Sequence, residues 1–107
     1  MINDDVLNRD NFACCYCGRS SREVHHIVYK SHCSKTDPLR EALRNKITVC
    51  SKHHNQLHRG MLIVVYFRAE AARPRIILRQ QLPRYIDRLD SYVQNGKTTC
   101  ITDEPVV

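Results

Sequence analysis

The stretch CSKHHNQLHRG, residues 50–60, places one cysteine and three histidines within nine positions, Cys50 to His58. The serine after the cysteine and the final glycine are typical of the beginning and the end of a short helix. On a helix, His54 and His58 are four residues apart and share a face, whereas His53 is rotated away from both. We therefore expect these side chains to serve two metal sites and not one.

The first expected site is a structural zinc site. Cys14 and Cys17 have the CxxC spacing of a zinc knuckle, and Cys50 and His53 have a matching three-residue spacing. Together they complete a tetrahedral Cys3His set. Four protein ligands close the coordination shell of zinc, and this is typical of a structural site.

The second expected site needs a third ligand besides His54 and His58. The adjacent pair His25 and His26 lies in EVHHIVY, residues 23–29, which has the β-branched composition of a strand. Neighbouring strand residues point to opposite faces, so only one of the pair can bind the same ion. The other is then free for chemistry, and three protein ligands leave coordination positions open, as a catalytic metal site requires.

Charge and composition narrow the class of protein. The chain has 107 residues and a net charge of +6, from 17 Lys and Arg against 11 Asp and Glu. Nine basic and three acidic residues lie between Arg19 and Arg59, an excess that suits a polyanion, with nucleic acid as the first candidate. A solvated basic surface without a partner is the alternative.

The N-terminal MINDDVLNRD has neither the basic nor the apolar part of a secretion signal, and the longest apolar run, MLIVVYF, is too short to cross a bilayer. We therefore expect a cytoplasmic protein with no membrane segment, in which cysteines serve as metal ligands and not as disulfides.

The second half of the chain predicts a packing unit. MLIVVYF, residues 61–67, is expected to be a buried strand that forms a β-hairpin with residues 75–80. Six apolar and aromatic residues follow at helical spacing and predict an amphipathic helix that ends at an Asn-Gly pair: Leu82, Tyr85, Ile86, Leu89, Tyr92 and Val93.

Four segments taken together resemble the HNH endonuclease family in its zinc-stabilised form. They are RDNFACCYCGR (9–19), EVHHI (23–27), RNKITVC (44–50) and CSKHHNQLHRG (50–60), and they cover about half of the chain. The resemblance implies an α+β fold in a single nuclease domain, residues 1–107. A ββα-metal (His-Me finger) core with its zinc knuckle would span 9–60, a β-hairpin and helix 61–97, and a tail 98–107.

The resemblance also implies a role for each matching residue. His25 matches the metal ligand that begins the motif, and His26 matches the general base beside it. His54 and His58 match the helix ligands that complete the catalytic metal site. Asn45 matches the residue that ties the loop between the two strands and orients the base.

The structural zinc set departs from the commonest family pattern, because His53 stands where a fourth cysteine is usual. His32 or Cys33 is an alternative fourth ligand. Cys15 is too close to the knuckle cysteines to be a ligand, and Cys100 is expected to be a free thiol.

The implied activity is metal-dependent DNA endonuclease activity: hydrolysis of phosphodiester bonds with a histidine base and one divalent cation, Mg2+, Mn2+, Ni2+ or Zn2+. The expected partner is double-stranded DNA. The expected phosphate contacts are Arg19, Arg22, Lys30, Lys46, Lys52 and Arg59.

The alternative function is a zinc-stabilised DNA-binding or protein-interaction module that does not cut. Small stand-alone relatives are common in phages, which implies the host cytoplasm and a phage DNA-packaging protein as a candidate partner. A homodimer is a further expectation, since cutting both strands requires two sites or two events.

Overall fold

Two antiparallel sheets and three α-helices make up the described part of the chain in this computed structural model, residues 2–70 and 73–101. The helices are α1 (Ile2–Arg9), α2 (Ser51–His58) and α3 (Leu82–Tyr85). The strands are β1 (Glu23–His26), β2 (Lys46–Val49), β3 (Leu62–Phe67), β4 (Pro74–Leu78), β5 (Leu89–Gln94) and β6 (Lys97–Cys100). The predicted α+β class is confirmed.

The smaller sheet contains His25 and His26 and leads directly into α2, which contains His54 and His58. Strands β1 and β2 pair in antiparallel fashion with His25 opposite Ile47, and α2 begins directly after β2. Strand β1 ends at His26 and does not reach residue 29 as expected, because the backbone of Val28 is bound by the side chain of Asn45 and not by a partner strand. The chain from β1 through β2 to α2 thus forms one short ββα unit.

Helix α1 is attached to the outer strand of this unit by polar contacts. The Arg9 guanidinium donates to the carbonyl oxygens of Lys46 at 2.6 Å and Leu43 at 3.1 Å, and the Asp10 carboxylate accepts from the backbone N–H of Thr48 at 2.9 Å. The bonds to Lys46 and Thr48 use backbone groups of β2 that no second described strand pairs, so the end of α1 and the Asp10 that follows it cover the free edge of the small sheet.

The larger sheet has the strand order β4-β3-β5-β6. Leu62, Ile63, Val64 and Val65 of β3 are each at most 1% exposed, because both faces of this central strand are covered. Leu62 and Val64 pack in the cluster that includes Leu57 of α2, whereas Ile63 and Val65 pack on the opposite face. The predicted buried strand and its hairpin with β4 are confirmed.

The predicted amphipathic helix over residues 82–93 is wrong. Helix α3 ends at Tyr85, and residues 89–94 form β5, which lies between β3 and β6. Asn95 and Gly96 have φ values of 51° and 75°, the backbone of a two-residue hairpin turn and not of a helix end. Leu89 and Val93 are both buried in β5 but lie in clusters on opposite faces of the sheet, and the pairing of β3 with β5 has a register shift between Tyr66 and Phe67.

The expected tail also begins later than position 98, because β6 extends to Cys100. Residues 102–107 of that tail lie outside the described residues. Within the described part of the chain, no helix combines the length and the apolar character that crossing a membrane requires.

We expect Leu62→Ala to lower the free energy of unfolding by about 2–5 kcal/mol, because it opens a cavity between α2 and the larger sheet. Urea denaturation measures this, with Met61→Ala as the matched control. Met61 is 50% exposed, so its truncation should change the free energy by about 0.5 kcal/mol or less. Equal effects of the two substitutions would contradict the packing described here.

Candidate metal centres

The first candidate centre joins the knuckle to the start of α2. One ligand atom from each of Cys14, Cys17, Cys50 and His53 lies within 4.8 Å of the others. The Cys17 and Cys50 sulfurs are 3.8 Å apart, and His53 Nδ1 lies 3.2 Å from the Cys50 sulfur and 3.7 Å from the Cys14 sulfur. In a tetrahedral zinc site with Zn–S bonds of about 2.3 Å, sulfurs are about 3.8 Å apart. The four residues therefore fit zinc, with His53 as the fourth ligand.

The knuckle turn is built from local backbone bonds. The N–H of Gly18 donates to the Cys14 carbonyl at 2.9 Å, and the N–H of Cys14 donates to the Arg19 carbonyl at 2.8 Å. Gly18 has φ +80°, a conformation that glycine adopts without strain. The N–H of Cys15 donates to the Thr48 carbonyl at 2.9 Å, which attaches the knuckle to β2.

The knuckle also favours the charged form of its first cysteine. Burial alone would raise the pKa of the Cys14 thiol. Three backbone amides, those of Cys17, Cys50 and Tyr16, stabilise the thiolate more strongly and lower the pKa to about 6. Because the thiolate is the form that binds metal, Cys14 is prepared for a cation near neutral pH.

The second candidate centre consists of His25 from β1 with His54 and His58 from α2. One ring nitrogen of each lies within 4.8 Å of the others, and the Nε2 atoms of His54 and His58 are 3.2 Å apart. His25 is 3% exposed, and its Nδ1 is buried without a hydrogen-bond partner among the described residues. A buried unpaired nitrogen is costly, and one ring nitrogen from each of the three histidines lies close enough to the others for the group to hold a metal ion.

Burial and neighbouring histidines favour the neutral form of His25 and His58. Burial, together with His54, His58 and His26, lowers the pKa of His25 to about 3. Burial likewise lowers the pKa of His58. Neutral imidazole is the form that donates a lone pair to a metal.

The two helix histidines each have a partner on the ring nitrogen that faces away from the centre. His54 Nδ1 lies 3.6 Å from a carboxylate oxygen of Glu23, and His58 Nδ1 lies 2.9 Å from the Tyr29 hydroxyl. The Ser51 hydroxyl in turn donates a short hydrogen bond to Glu23. Outer partners of this kind orient metal-ligating histidines.

His26 lies outside the three-histidine group, as the strand alternation predicts. Its side chain is 22% exposed, and a carboxylate oxygen of Glu41 is 3.7 Å from its Nε2. Burial and the nearby Lys46 ammonium lower its pKa, while Glu41 opposes them. The ring is therefore neutral at pH 7 and able to accept a proton.

Asn45 clamps the loop that follows His26. Its side-chain oxygen accepts from the backbone N–H of Val28 at 2.8 Å, and its amide nitrogen donates to the Val28 carbonyl at 3.0 Å. Asn45 is 2% exposed. The clamp joins the two ends of the long connection between β1 and β2.

The prediction that Lys46 contacts DNA needs correction. Its side chain is 2% exposed, and its ammonium group lies 2.8 Å from a carboxylate oxygen of Glu41. All four residues of β2 are buried, so a lysine there points into the protein whatever its charge. The other basic residues predicted to contact phosphate are exposed: Arg19, Arg22, Lys30, Lys52 and Arg59.

The sequence reasoning missed Glu23, Tyr29 and Glu41. Glu23 and Tyr29 are the first and last residues of EVHHIVY, so their nearness to the histidine pair was a signal that could have found them. Glu41 had no such signal, because it approaches His26 only through the fold of the long connection. His32, Cys33 and Cys15 are not in either ligand group.

Comparison with known proteins found no match: no protein-family model, no curated protein and no solved structure matches the chain.

We expect the purified protein to contain one tightly bound zinc per chain. Cys17→Ser should remove it and lower the melting temperature by more than about 5 °C, the shift that about 1 kcal/mol produces in a domain of this size. Elemental analysis and a thermal melt measure both quantities. Cys15→Ser is the matched control, since Cys15 lies two positions away and outside the ligand group.

His53→Cys should keep the zinc, because a thiolate replaces the imidazole among the ligands. Zinc content and stability that are the same in Cys17→Ser as in wild type would contradict the proposed ligand set.

Proposed function

We propose that this protein is a metal-dependent DNA endonuclease with an HNH-type ββα-metal core. The observation that carries the proposal is the position of His26. It is a neutral histidine directly beside His25, yet it lies outside the ligand group; its side chain is 22% exposed, and its buried Nε2 lies 3.7 Å from a carboxylate oxygen of Glu41. A neutral histidine that lies beside a metal centre without being one of its ligands can act as a general base.

The arrangement of the elements supports the same proposal. One ligand comes from β1 and two come from successive turns of α2, so the ββα unit surrounds the three-histidine group. Three protein ligands leave positions for a water molecule and a phosphate oxygen. The Cys3His group at the start of α2 has no such opening, and we assign it a structural role.

A divalent ion held by His25, His54 and His58 would polarise a phosphate oxygen and stabilise the charge that develops on the leaving oxygen. The protein's own contribution is the base and its orientation. His26 accepts the proton of the attacking water, and Asn45 holds the backbone that follows His26. Among Mg2+, Mn2+, Ni2+ and Zn2+, imidazole ligands favour the last three over magnesium.

The exposed basic residues provide a surface for the DNA backbone. Arg19, Arg22 and Lys52 line one groove beside the start of α2. Arg22 also stacks over the Phe12 ring, 5.3 Å from its centroid, which restricts its guanidinium. Contacts to phosphates hold the duplex in register without reading its sequence, so we propose binding that is largely independent of sequence.

We expect His26→Ala to reduce plasmid cleavage by about 10²–10⁴-fold, because it removes the proton acceptor for the attacking water. Zinc content, second-ion binding and DNA affinity should remain near wild type, since His26 is in neither ligand group. Cleavage assays with Mg2+, Mn2+ and Ni2+ measure the rate. Arg84→Ala is the control, because Arg84 is exposed on α3 and belongs to neither ligand group.

His54→Ala should lose cleavage together with binding of the second ion and should keep the structural zinc. Cleavage by His26→Ala at the wild-type rate would reject the mechanism. Absence of chelator-sensitive cleavage by the wild-type protein would instead favour a zinc-stabilised module that binds DNA or a protein without cutting.

We expect DNA affinity to fall steeply with salt, since phosphate contacts release counterions from the duplex. Lys52→Ala should reduce the slope of log K against log salt by about 1, whereas Arg84→Ala on α3 should leave it unchanged. Fluorescence anisotropy with a short duplex at several salt concentrations measures the slope. Equal slopes for Lys52→Ala and wild type would show that this groove does not contact the DNA.

A further inference from the structure

We propose that Tyr29 is a positioning residue that fixes His58 as a ligand through Nε2, and that the β5–β6 turn at Gly96 holds Tyr29 in place. This inference rests on the three-histidine metal site of the proposed function. The larger sheet then helps to position the ligands of the three-histidine site.

The hydrogen bond between Tyr29 and His58 defines the role. The Tyr29 hydroxyl lies 2.9 Å from His58 Nδ1, and His58 Nε2 lies 3.2 Å from His54 Nε2. A neutral imidazole that offers its Nε2 lone pair carries its proton on Nδ1. That proton is donated to the tyrosine oxygen, so one contact sets both the tautomer and the rotation of the ring.

The Tyr29 ring also contacts the rings of His58 and His25. It stacks on His58 with 5.0 Å between ring centroids and meets His25 edge-on at 5.9 Å. These contacts limit the rotation of the His58 ring even though His58 lies at the exposed end of α2. A positioned ring lowers the entropy that is lost when the ion binds.

Tyr29 is held in turn by the hairpin turn of the larger sheet. Its backbone N–H donates to the Gly96 carbonyl at 3.2 Å. A Cβ added to Gly96 would overlap the Tyr29 ring, so the ring lies directly against the backbone of the turn. Only glycine leaves that space, and its φ of +75° also suits glycine.

The test measures binding of Ni2+ to the zinc-loaded protein by calorimetry. We expect Tyr29→Phe to bind the second ion about 10–100-fold more weakly than wild type while its zinc content and fold are unchanged. Tyr85→Phe is the matched control, because Tyr85 packs against Phe67 on the opposite face of the larger sheet and should bind Ni2+ as wild type does.

A second readout is specific to positioning. In the metal-free three-histidine site, nitrogen NMR of the His58 ring should show the Nδ1–H tautomer in wild type and a mixture of tautomers in Tyr29→Phe. A general loss of stability would not produce this change.

Gly96→Ala tests the support of Tyr29. It should weaken Ni2+ binding at least as much as Tyr29→Phe, because the new methyl group displaces the ring. Tyr29→Ala provides the control for backbone strain at Gly96. When the Tyr29 ring is absent, adding Gly96→Ala should weaken Ni2+ binding no further, because the added methyl group then has no ring to displace.

The outcomes separate this inference from the proposed function. Wild-type Ni2+ affinity and an unchanged His58 tautomer in Tyr29→Phe would overturn the role of Tyr29 and leave the metal site intact. No binding of a second ion by the wild-type protein would overturn the metal site itself, and the inference with it.

Discussion

Helix α2 has eight residues, too few to remain helical in water without tertiary support. Its anchors are Leu57, which is 3% exposed in the core, and the cluster of Cys50 and His53 with the knuckle cysteines at its start. Because His54 and His58 lie on the same short helix, the contacts that fix its first turn also fix the orientation of both imidazoles. The proposed structural zinc and the three-histidine group are therefore coupled through a single turn of backbone.

A second constraint is the charge balance around His26. The Lys46 ammonium is buried close to this ring, and alone it would leave an uncompensated charge inside the protein. Glu41 pairs with Lys46 at 2.8 Å and also approaches His26. The pKa of Glu41 falls to about 2, chiefly because it accepts the hydrogen bond from Lys46, so its carboxylate is charged at neutral pH. Lys46 and burial then keep His26 in its neutral form.

Sequence spacing predicted what depends on local geometry. The two ligand groups could be derived because i, i+3 and i, i+4 neighbours on a helix have fixed directions, and because strand residues alternate between faces. The clamp by Asn45 was reached only through the family resemblance. The prediction for Lys46 was wrong because local spacing does not show that a side chain is buried. Tyr29 was missed because local spacing does not show its long-range hydrogen bond to His58. Leu89, Tyr92 and Val93 have helical spacing, but the two-residue Asn-Gly turn and the pairing with β3 and β6 place them in a strand.

The central claim is that α2 carries two metal sites of different chemistry, one closed and rich in thiolate, the other open and made of imidazoles. Titration of the metal-free protein with cobalt(II), followed by absorption spectroscopy, tests it most directly. The account predicts two equivalents bound: one with intense thiolate-to-cobalt charge-transfer bands, and one without them that disappears in His54→Ala. A single equivalent, or loss of the charge-transfer bands in His54→Ala, would contradict the claim.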